Sequence, residues 1–138
     1  MNEQLLRLFE LAKEARKLSH CPYSKKSVGA AVLCGSGKIY RGANIENSSF
    51  GATVCAERVA LYSALMGGER EFYAIAIAGG DAGQEPVLPF PPCGICRQVL
   101  SEFFGGDGEV YILGKGDEYC KYTLRELLPE AFSLKEKK

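Results

Sequence analysis

Residues 28–34 read VGAAVLC, a run of small and apolar side chains without a polar position on either face. A strand of this kind is typical of the interior of a sheet, where both faces are covered. The turn sequence Gly35-Ser36-Gly37 follows, and residues 38–43 return as a second strand. The centre of the fold is therefore predicted to be a sheet built around residues 28–34.

The segments on either side of this strand alternate between helical and extended patterns. The apolar run at 54–66 predicts a buried helix that ends at Gly67-Gly68, because glycine is favoured just after a helix. The other predicted helices are residues 2–18, 94–104 and 123–128, and the other predicted strands are residues 73–78, 109–113 and 118–122. This alternation predicts an α/β fold, a three-layer α/β/α sandwich with a mixed, roughly five-stranded sheet, in one domain over residues 1–138.

The charge balance argues against a nucleic acid polymer as partner. The chain of 138 residues carries 17 Lys and Arg against 17 Asp and Glu, a formal net charge of zero. Polynucleotide binders usually show a basic excess or a basic stripe. Here the basic run is a short lysine-rich end at residues 135–138, which is typical of a solvated terminus.

The sequence also predicts a cytoplasmic protein with no membrane association. No apolar run approaches the ~18 residues of a membrane span, and the polar, amphipathic N-terminus does not resemble a signal peptide. The chain has six cysteines. In the absence of a secretory signal, metal binding or free thiols are favoured over disulfides.

The residues with the clearest chemical meaning are Cys55-Ala56-Glu57 and Pro92-Cys93-Gly94-Ile95-Cys96. The pair Cys93 and Cys96, taken alone, fits a zinc clamp, a redox dithiol or chance. Cys55 and Cys93 both stand where a predicted helix starts, and the free amides there stabilise thiolates. Three thiolate ligands leave the fourth zinc position open for water, as a catalytic zinc requires, and Glu57 would lie close to that water.

This arrangement matches the signature of zinc deaminases, in which a ligand-x-Glu precedes Pro-Cys-x-x-Cys. Over nearly its whole length the chain also resembles the short, homotetrameric cytidine deaminases of the cytidine and deoxycytidylate deaminase superfamily. The matching stretches are Pro22-Tyr23-Ser24, Val28-Gly29-Ala30-Ala31, Asn44-Ile45-Glu46-Asn47, Cys55-Ala56-Glu57-Arg58, Pro92-Cys93-Gly94-Ile95-Cys96-Arg97-Gln98, and Leu127-Leu128-Pro129 through Phe132.

The resemblance implies a reaction and a role for each matching residue. The reaction is hydrolytic deamination of cytidine or deoxycytidine to the uracil nucleoside and ammonia by a zinc-bound hydroxide, in pyrimidine salvage. The implied zinc ligands are Cys55, Cys93 and Cys96, the proton carrier is Glu57, and the residue that offsets thiolate charge is Arg58. The implied substrate contacts are Asn44 and Glu46 at the ribose and Phe132 at the base in a neighbouring subunit of a homotetramer.

Two positions depart from the family pattern. Lys26 stands where the family usually has an aromatic ring that packs on the base, and Phe50 stands where it usually has Tyr. Both changes concern substrate recognition rather than zinc, so a modified cytosine nucleoside, for example a nucleoside antibiotic, stays open as the substrate.

Other classes of function also fit parts of the pattern. A structural zinc module would need a fourth protein ligand from Cys21, Cys34, Cys120 or His20. A thiol–disulfide enzyme would use Cys93 and Cys96 without a metal. A polynucleotide deaminase is disfavoured by the neutral charge.

Overall fold

The computed structural model describes residues 2–135, so most of the lysine-rich end at 135–138 lies outside the described residues. Within that range the chain forms four α-helices and five strands. The helices are α1 (Glu3–Ala15), α2 (Ala56–Met66), α3 (Gly94–Phe104) and α4 (Leu124–Leu127), and the strands are β1 (Lys26–Cys34), β2 (Ile39–Ala43), β3 (Phe72–Asp81), β4 (Glu109–Leu113) and β5 (Tyr119–Thr123).

The strands of residues 2–135 make one mixed sheet in the order β2-β1-β3-β4-β5. β1 is antiparallel to both of its neighbours, β3 and β4 run parallel, and β5 returns antiparallel to β4. A parallel pair needs a crossover connection, and the segment between β3 and β4 contains α3. The predicted five-stranded mixed sheet is confirmed.

Helices cover both faces of the sheet, because the central strands are apolar on both sides. On one face, Val32 of β1 and Ile77 of β3 join a core that includes buried residues of α2, α3 and α4. On the other face, Ala31 and Ala76 of the same strands pack with Leu8 and Ala12 of α1. The predicted three-layer sandwich is therefore confirmed, with α1 alone on one side.

Several element boundaries differ from the sequence prediction by one to three residues, and two of these differences bear on the site. β3 continues beyond residue 78 to Asp81, because Gly79 and Gly80 pair with Val28 and Ser27 of β1. The helix predicted from residue 54 begins at Ala56, and Cys55 is its N-cap with extended backbone. A capping box formed by Thr123 and Glu126 begins α4.

Gly42 of β2 sets how closely α2 approaches the sheet. A Cβ atom at Gly42 would lie 2.3 Å from the backbone nitrogen of Ala60 and 2.6 Å from the carbonyl oxygen of Ala56. Only glycine permits this approach, which places the first turn of α2 directly against β2. Within residues 2–135, none of the helices combines the length and apolarity that a membrane crossing requires.

Candidate metal centre and active site

Three cysteine thiols converge where α2 and α3 begin. Cys55 is the N-cap of α2, Cys93 is the N-cap of α3, and Cys96 lies in the first turn of α3. Their Sγ atoms all lie within 4.8 Å of one another. Among residues 2–135 this is the one group of three or more cysteine, histidine or acidic side chains with metal-binding geometry.

The local backbone supports thiolates at this point. The amide of Cys96 donates to the Sγ of Cys93 over 3.5 Å, so an otherwise unpaired amide at the start of α3 faces sulfur. Helix N-termini carry partial positive charge and favour anions. The sequence prediction that both helix starts face one cluster is therefore confirmed in the geometry.

The donor set fits a zinc ion. Zn–S bonds of about 2.3 Å in a tetrahedron place two sulfurs about 3.8 Å apart, and the Sγ atoms of Cys55 and Cys93 are 3.7 Å apart. All six cysteines are free thiols. The other candidate ligands, Cys21, Cys34, Cys120 and His20, lie outside the cluster in the described residues, so they do not supply a fourth ligand.

Arg58 stabilises the thiolate form of Cys55. Its Nη2 donates to the Sγ of Cys55 over 3.6 Å. The hydrogen bond with the Cys96 thiol and that with Arg58 outweigh burial and lower the pKa of Cys55 to about 5. Burial opposes the charge of Arg58, but its hydrogen bonds with Cys55 and Cys96 raise the pKa of its guanidinium. Three thiolates around Zn²⁺ carry a net charge near −1, which a neighbouring guanidinium offsets.

Glu57 is a buried carboxyl beside this cluster. It is 4% exposed, although charged side chains are rarely buried without a pairing partner. Burial, with a smaller contribution from the Cys55 charge, raises the pKa of Glu57 to about 7. A carboxyl with a pKa near neutrality can both accept and return a proton, which is the property of a general acid–base group.

Glu57 faces a cavity of about 160 Å³ that also contains two of the cysteines. The residues that line it are Val28, Asn44, Thr53, Val54, Cys55, Ala56, Glu57, Phe90, Pro91 and Cys93. A few polar groups in a largely apolar cavity are typical of a site for a small molecule. The structure thus brings together Asn44, Glu57 and the two N-cap cysteines, as the sequence predicts.

The side chain of Asn44 is mostly committed to the protein. Its Oδ1 accepts from the Ser19 hydroxyl at 2.5 Å and from the Val28 amide at 2.9 Å, and its Nδ2 donates to the Lys26 carbonyl at 2.8 Å. One N–H of the amide group is left for a ligand. Asn44 therefore fixes the start of β1 in addition to lining the cavity.

Glu46 is oriented by the segment Tyr23-Ser24. Its Oε1 accepts from the backbone amides of Tyr23 and Ser24 at 3.0 and 3.1 Å, and its Oε2 accepts from the Ser24 hydroxyl. The Ser24 hydroxyl first, and then the amides, lower the pKa of Glu46. The role of the motif Pro22-Tyr23-Ser24 could not be predicted from sequence, because its contact partner Glu46 is more than 20 residues away.

Glu46 lines a second cavity, of about 410 Å³, with Tyr23, Ser24, Phe50 and Thr53. Thr53 lines both cavities, so the two adjoin. Phe50 is 71% exposed, and its ring contacts that of Tyr23 edge to face. The two cavities offer separate volumes for two parts of one ligand.

Neither Lys26 nor Phe132 lines the cavity that Glu57 faces. The ammonium group of Lys26 pairs with Asp81 at the end of the β1–β3 ladder. Phe132 is 66% exposed and lines a groove at the C-terminal segment. Its backbone carbonyl accepts from Gln98 of α3 at 3.0 Å, which ties the segment to the helix that carries Cys96.

Arg97 is a further residue whose role sequence reasoning missed. Its Nε donates to the Pro92 carbonyl and its Nη1 to the Leu127 carbonyl, both at 2.8 Å. One guanidinium thus joins the peptide before Cys93 to the end of α4. The only sequence signal was its place in the motif that runs from Pro92 to Gln98.

Comparison with known proteins places these features in a family. A family model described as the cytidine and deoxycytidylate deaminase zinc-binding region matches residues 2–113. A cytidine deaminase from Sporosarcina psychrophila is 43% identical over 127 residues, which covers 92% of this chain and 90% of that protein. A blasticidin-S deaminase from Bacillus cereus is 32% identical over 132 residues, covering 94% and 92%. The crystal structure of a cytidine deaminase from Burkholderia pseudomallei has 42% sequence identity and a TM-score of 0.84, covering 96% of this chain and 100% of that one.

Proposed function

The chain belongs to the cytidine and deoxycytidylate deaminase family, and from this we propose that its catalytic centre is Glu57 with Cys55, Cys93 and Cys96 as zinc ligands. The protein is a zinc-dependent hydrolase that converts cytidine to uridine and ammonia. One observation supports the residue assignment most strongly. The buried carboxyl of Glu57 and two cysteines of the three-thiol cluster, Cys55 and Cys93, line a single cavity of about 160 Å³.

A zinc ion held by Cys55, Cys93 and Cys96 would supply the activation of a water molecule for attack on C4 of the cytosine ring. Glu57 takes a proton from that water and delivers it to N3 as the C4–O bond forms. Glu57 then takes the proton of the new hydroxyl and gives it to the exocyclic amine. The C4–N bond breaks and ammonia leaves, so the carboxyl returns to its starting state.

The proposed division of the substrate follows the two adjoining cavities. The base enters the smaller cavity of about 160 Å³ that Glu57 lines, hereafter the inner cavity. There Glu57 reaches N3 and the amine. The ribose lies towards Asn44, which has one free N–H, and Glu46, whose carboxyl is held by a hydrogen bond from Ser24 that lowers its pKa. A fixed carboxylate accepts hydrogen bonds from sugar hydroxyls without a further ordering cost.

A panel of nucleosides tests this function. We expect the zinc-loaded protein to deaminate cytidine, measured as the loss of absorbance when the amine becomes a carbonyl. Deoxycytidine, cytosine and a cytidine residue within an oligonucleotide serve as comparison substrates. The assignment is contradicted if none of the free nucleosides reacts. Faster reaction on the oligonucleotide contradicts the proposal that the substrate is a small molecule.

A modified cytosine nucleoside is a second candidate substrate, and two observations favour including it. The chain is similar to a blasticidin-S deaminase over most of both lengths. In addition, position 26, where the family pattern usually has an aromatic ring, carries a lysine that pairs with Asp81, and neither residue lines the inner cavity. Blasticidin S therefore belongs in the panel, and a kcat/KM above that for cytidine identifies it as the preferred substrate.

We propose further that the chain is one domain that assembles as a cytoplasmic homotetramer and serves pyrimidine salvage. Phe132, which is largely exposed in the single chain, contacts the base in a neighbouring subunit's site. Closed symmetric assemblies are common among soluble enzymes.

The assembly leads to a prediction for Phe132→Ala. We expect light scattering to give a tetramer for the wild type. The variant should raise the cytidine KM by about tenfold, because the proposed aromatic contact with the base of a neighbouring site is lost. The surface variant Tyr62→Ala, at an exposed position of α2, is a control for loss of an exposed ring. A monomer with full activity contradicts the shared site.

A further inference from the structure

One aromatic ring lines the reaction cavity in the described part of the chain, and it belongs to Phe90. Phe90 precedes Pro91, Pro92 and the metal-ligand candidate Cys93, in the segment between β3 and α3. Its side chain is half-buried, so one part packs against the core and another part faces the cavity that contains Glu57.

Phe90 packs against the backbone of Gly79. A Cβ atom at Gly79 would lie 2.3 Å from Cδ1, 2.5 Å from Cε1 and 2.7 Å from Cγ of the Phe90 ring. Only a glycine accepts this ring at such a distance. The segment is also held to the same residue by a backbone hydrogen bond, since the Val87 amide donates to the Gly79 carbonyl at 2.9 Å.

Gly79 in turn belongs to the sheet that supports the cavity. It pairs with Val28 of β1, and Val28 itself lines the cavity. The Phe90 ring therefore lies on a rigid strand pair, although it is supplied by an irregular segment. A ring held in this way loses little conformational entropy when a ligand packs against it.

The other aromatic side chains near the substrate path are engaged elsewhere. Tyr23 and Phe50 contact each other and line the adjoining cavity with Glu46. Lys26 lies two positions before the cavity residue Val28 on β1, carries no ring and pairs with Asp81. Apart from Phe90, the inner cavity is lined by aliphatic, amide, hydroxyl, thiol and carboxyl groups.

We propose that Phe90 packs against the face of the cytosine ring and that the Phe90 ring is positioned by its packing against Gly79. The inference rests on the proposed function, because it assumes that the base occupies the inner cavity. A planar heteroaromatic ring stacks favourably on an aromatic side chain, and an aliphatic side chain of similar size does not provide that surface. Phe90 is thus a specificity-determining residue for a planar base.

The first test compares Phe90→Leu, Phe90→Tyr and Phe90→Ala with the wild type on cytidine. Base–aromatic stacking corresponds to an affinity change of about 5-fold to 150-fold. We expect Phe90→Ala to raise KM within that range and Phe90→Leu to raise it at least about fivefold. Phe90→Tyr keeps the ring and stays within about twofold. The kcat changes little, because the contact is made before and during the chemical step.

Phe103→Leu is the matched control, since Phe103 is a partly exposed ring of α3 that packs on Phe72, away from the cavity. Its KM should equal that of the wild type. A wild-type KM in Phe90→Leu overturns the stacking role, even if Phe90→Ala fails to fold. Wild-type activity on cytidine, measured in the same assay, separates this outcome from failure of the proposed function.

A double-substitution cycle tests whether packing against Gly79 positions the Phe90 ring. Gly79→Ala places a methyl group where the Phe90 ring lies, so it should displace the ring and raise KM about as much as Phe90→Ala. In the Phe90→Ala background the methyl group meets no ring, and Gly79→Ala should then change KM by less than about twofold. Equal effects of Gly79→Ala in both backgrounds overturn the proposal, because the glycine would then act independently of Phe90.

Discussion

Replacement of Glu57 by Gln is expected to abolish nearly all deamination while leaving zinc and fold intact. Gln has the shape of Glu but cannot carry a proton between water, N3 and the amine. General acid–base groups contribute about 10²–10⁴-fold to rate, and Glu57 serves two successive transfers, so we expect kcat to fall at least to the upper end of that range. The measurement is steady-state kinetics with cytidine, together with zinc content by mass spectrometry.

The stability of this variant should not fall. Glu57 is 4% exposed, and burial raises its pKa to about 7 because the charged form is disfavoured there. A neutral amide removes the cost of a buried charge, so the melting temperature should equal or exceed that of the wild type. Cytidine binding should persist, because Asn44 and Glu46 are unchanged.

Glu109→Gln is a matched control for Glu57→Gln. Glu109 is a partly buried carboxyl on β4 that pairs with Lys121, and it lies outside both cavities of the site. Its rate should stay within about twofold of the wild type, since exposed ion pairs contribute little. A near wild-type rate in Glu57→Gln removes Glu57 from the mechanism. Loss of zinc with the rate instead makes Glu57 a ligand.

The metal cluster could be predicted from sequence because its determinants are local. Cys55 and Cys93 each precede a helix whose start is marked by the residues around it, and Cys96 follows within one turn. The free amides at a helix start face the N-cap residue. The starts of α2 and α3, capped by Cys55 and Cys93, therefore define the cluster where they meet. The error of two residues at the start of α2 arose because Val54 extends the apolar run without being helical.

The substrate side of the site could be predicted only as a set of residues. Asn44 contacts Ser19, Lys26 and Val28, and Glu46 contacts Tyr23 and Ser24, so their geometry depends on the crossing of segments that are distant in sequence. Residues 79–92 contain four prolines, which restrict the backbone of this segment. They gave no sign that Phe90 would fold back onto Gly79, because that contact requires β3 to continue past residue 78.

Substitution of Cys96 or Cys93 by Ala is expected to remove most of the zinc and most of the activity. The wild type should bind about one zinc per chain, through three thiolates and an open position. Losing one of three protein ligands removes a strong Zn–S bond, and no other described cysteine or histidine is close enough to replace it. Zinc content of the purified variants and their cytidine kinetics give the two readouts.

The two substitutions should differ in stability. Cys96 is fully buried and Cys93 is exposed, so Cys96→Ala also leaves a small gap in the core beneath the cluster. We expect Cys96→Ala to lower the melting temperature more than Cys93→Ala, with both below the wild type because bound metal stabilises the folded state. Addition of the chelator EDTA should lower the wild-type melting temperature and leave both variants nearly unchanged.

Cys120→Ala is the matched control, because this half-buried thiol on β5 lies outside the cluster. It should keep its zinc, its activity and its response to EDTA. Full zinc retention in Cys93→Ala contradicts the ligand assignment, since an exposed non-ligand cysteine is the simplest explanation of that result. A wild type that is active without zinc and loses activity on oxidation favours a dithiol enzyme instead. Zinc loss in both cluster variants, with zinc retained in Cys120→Ala and Glu57→Gln, separates the ligands from the proton carrier.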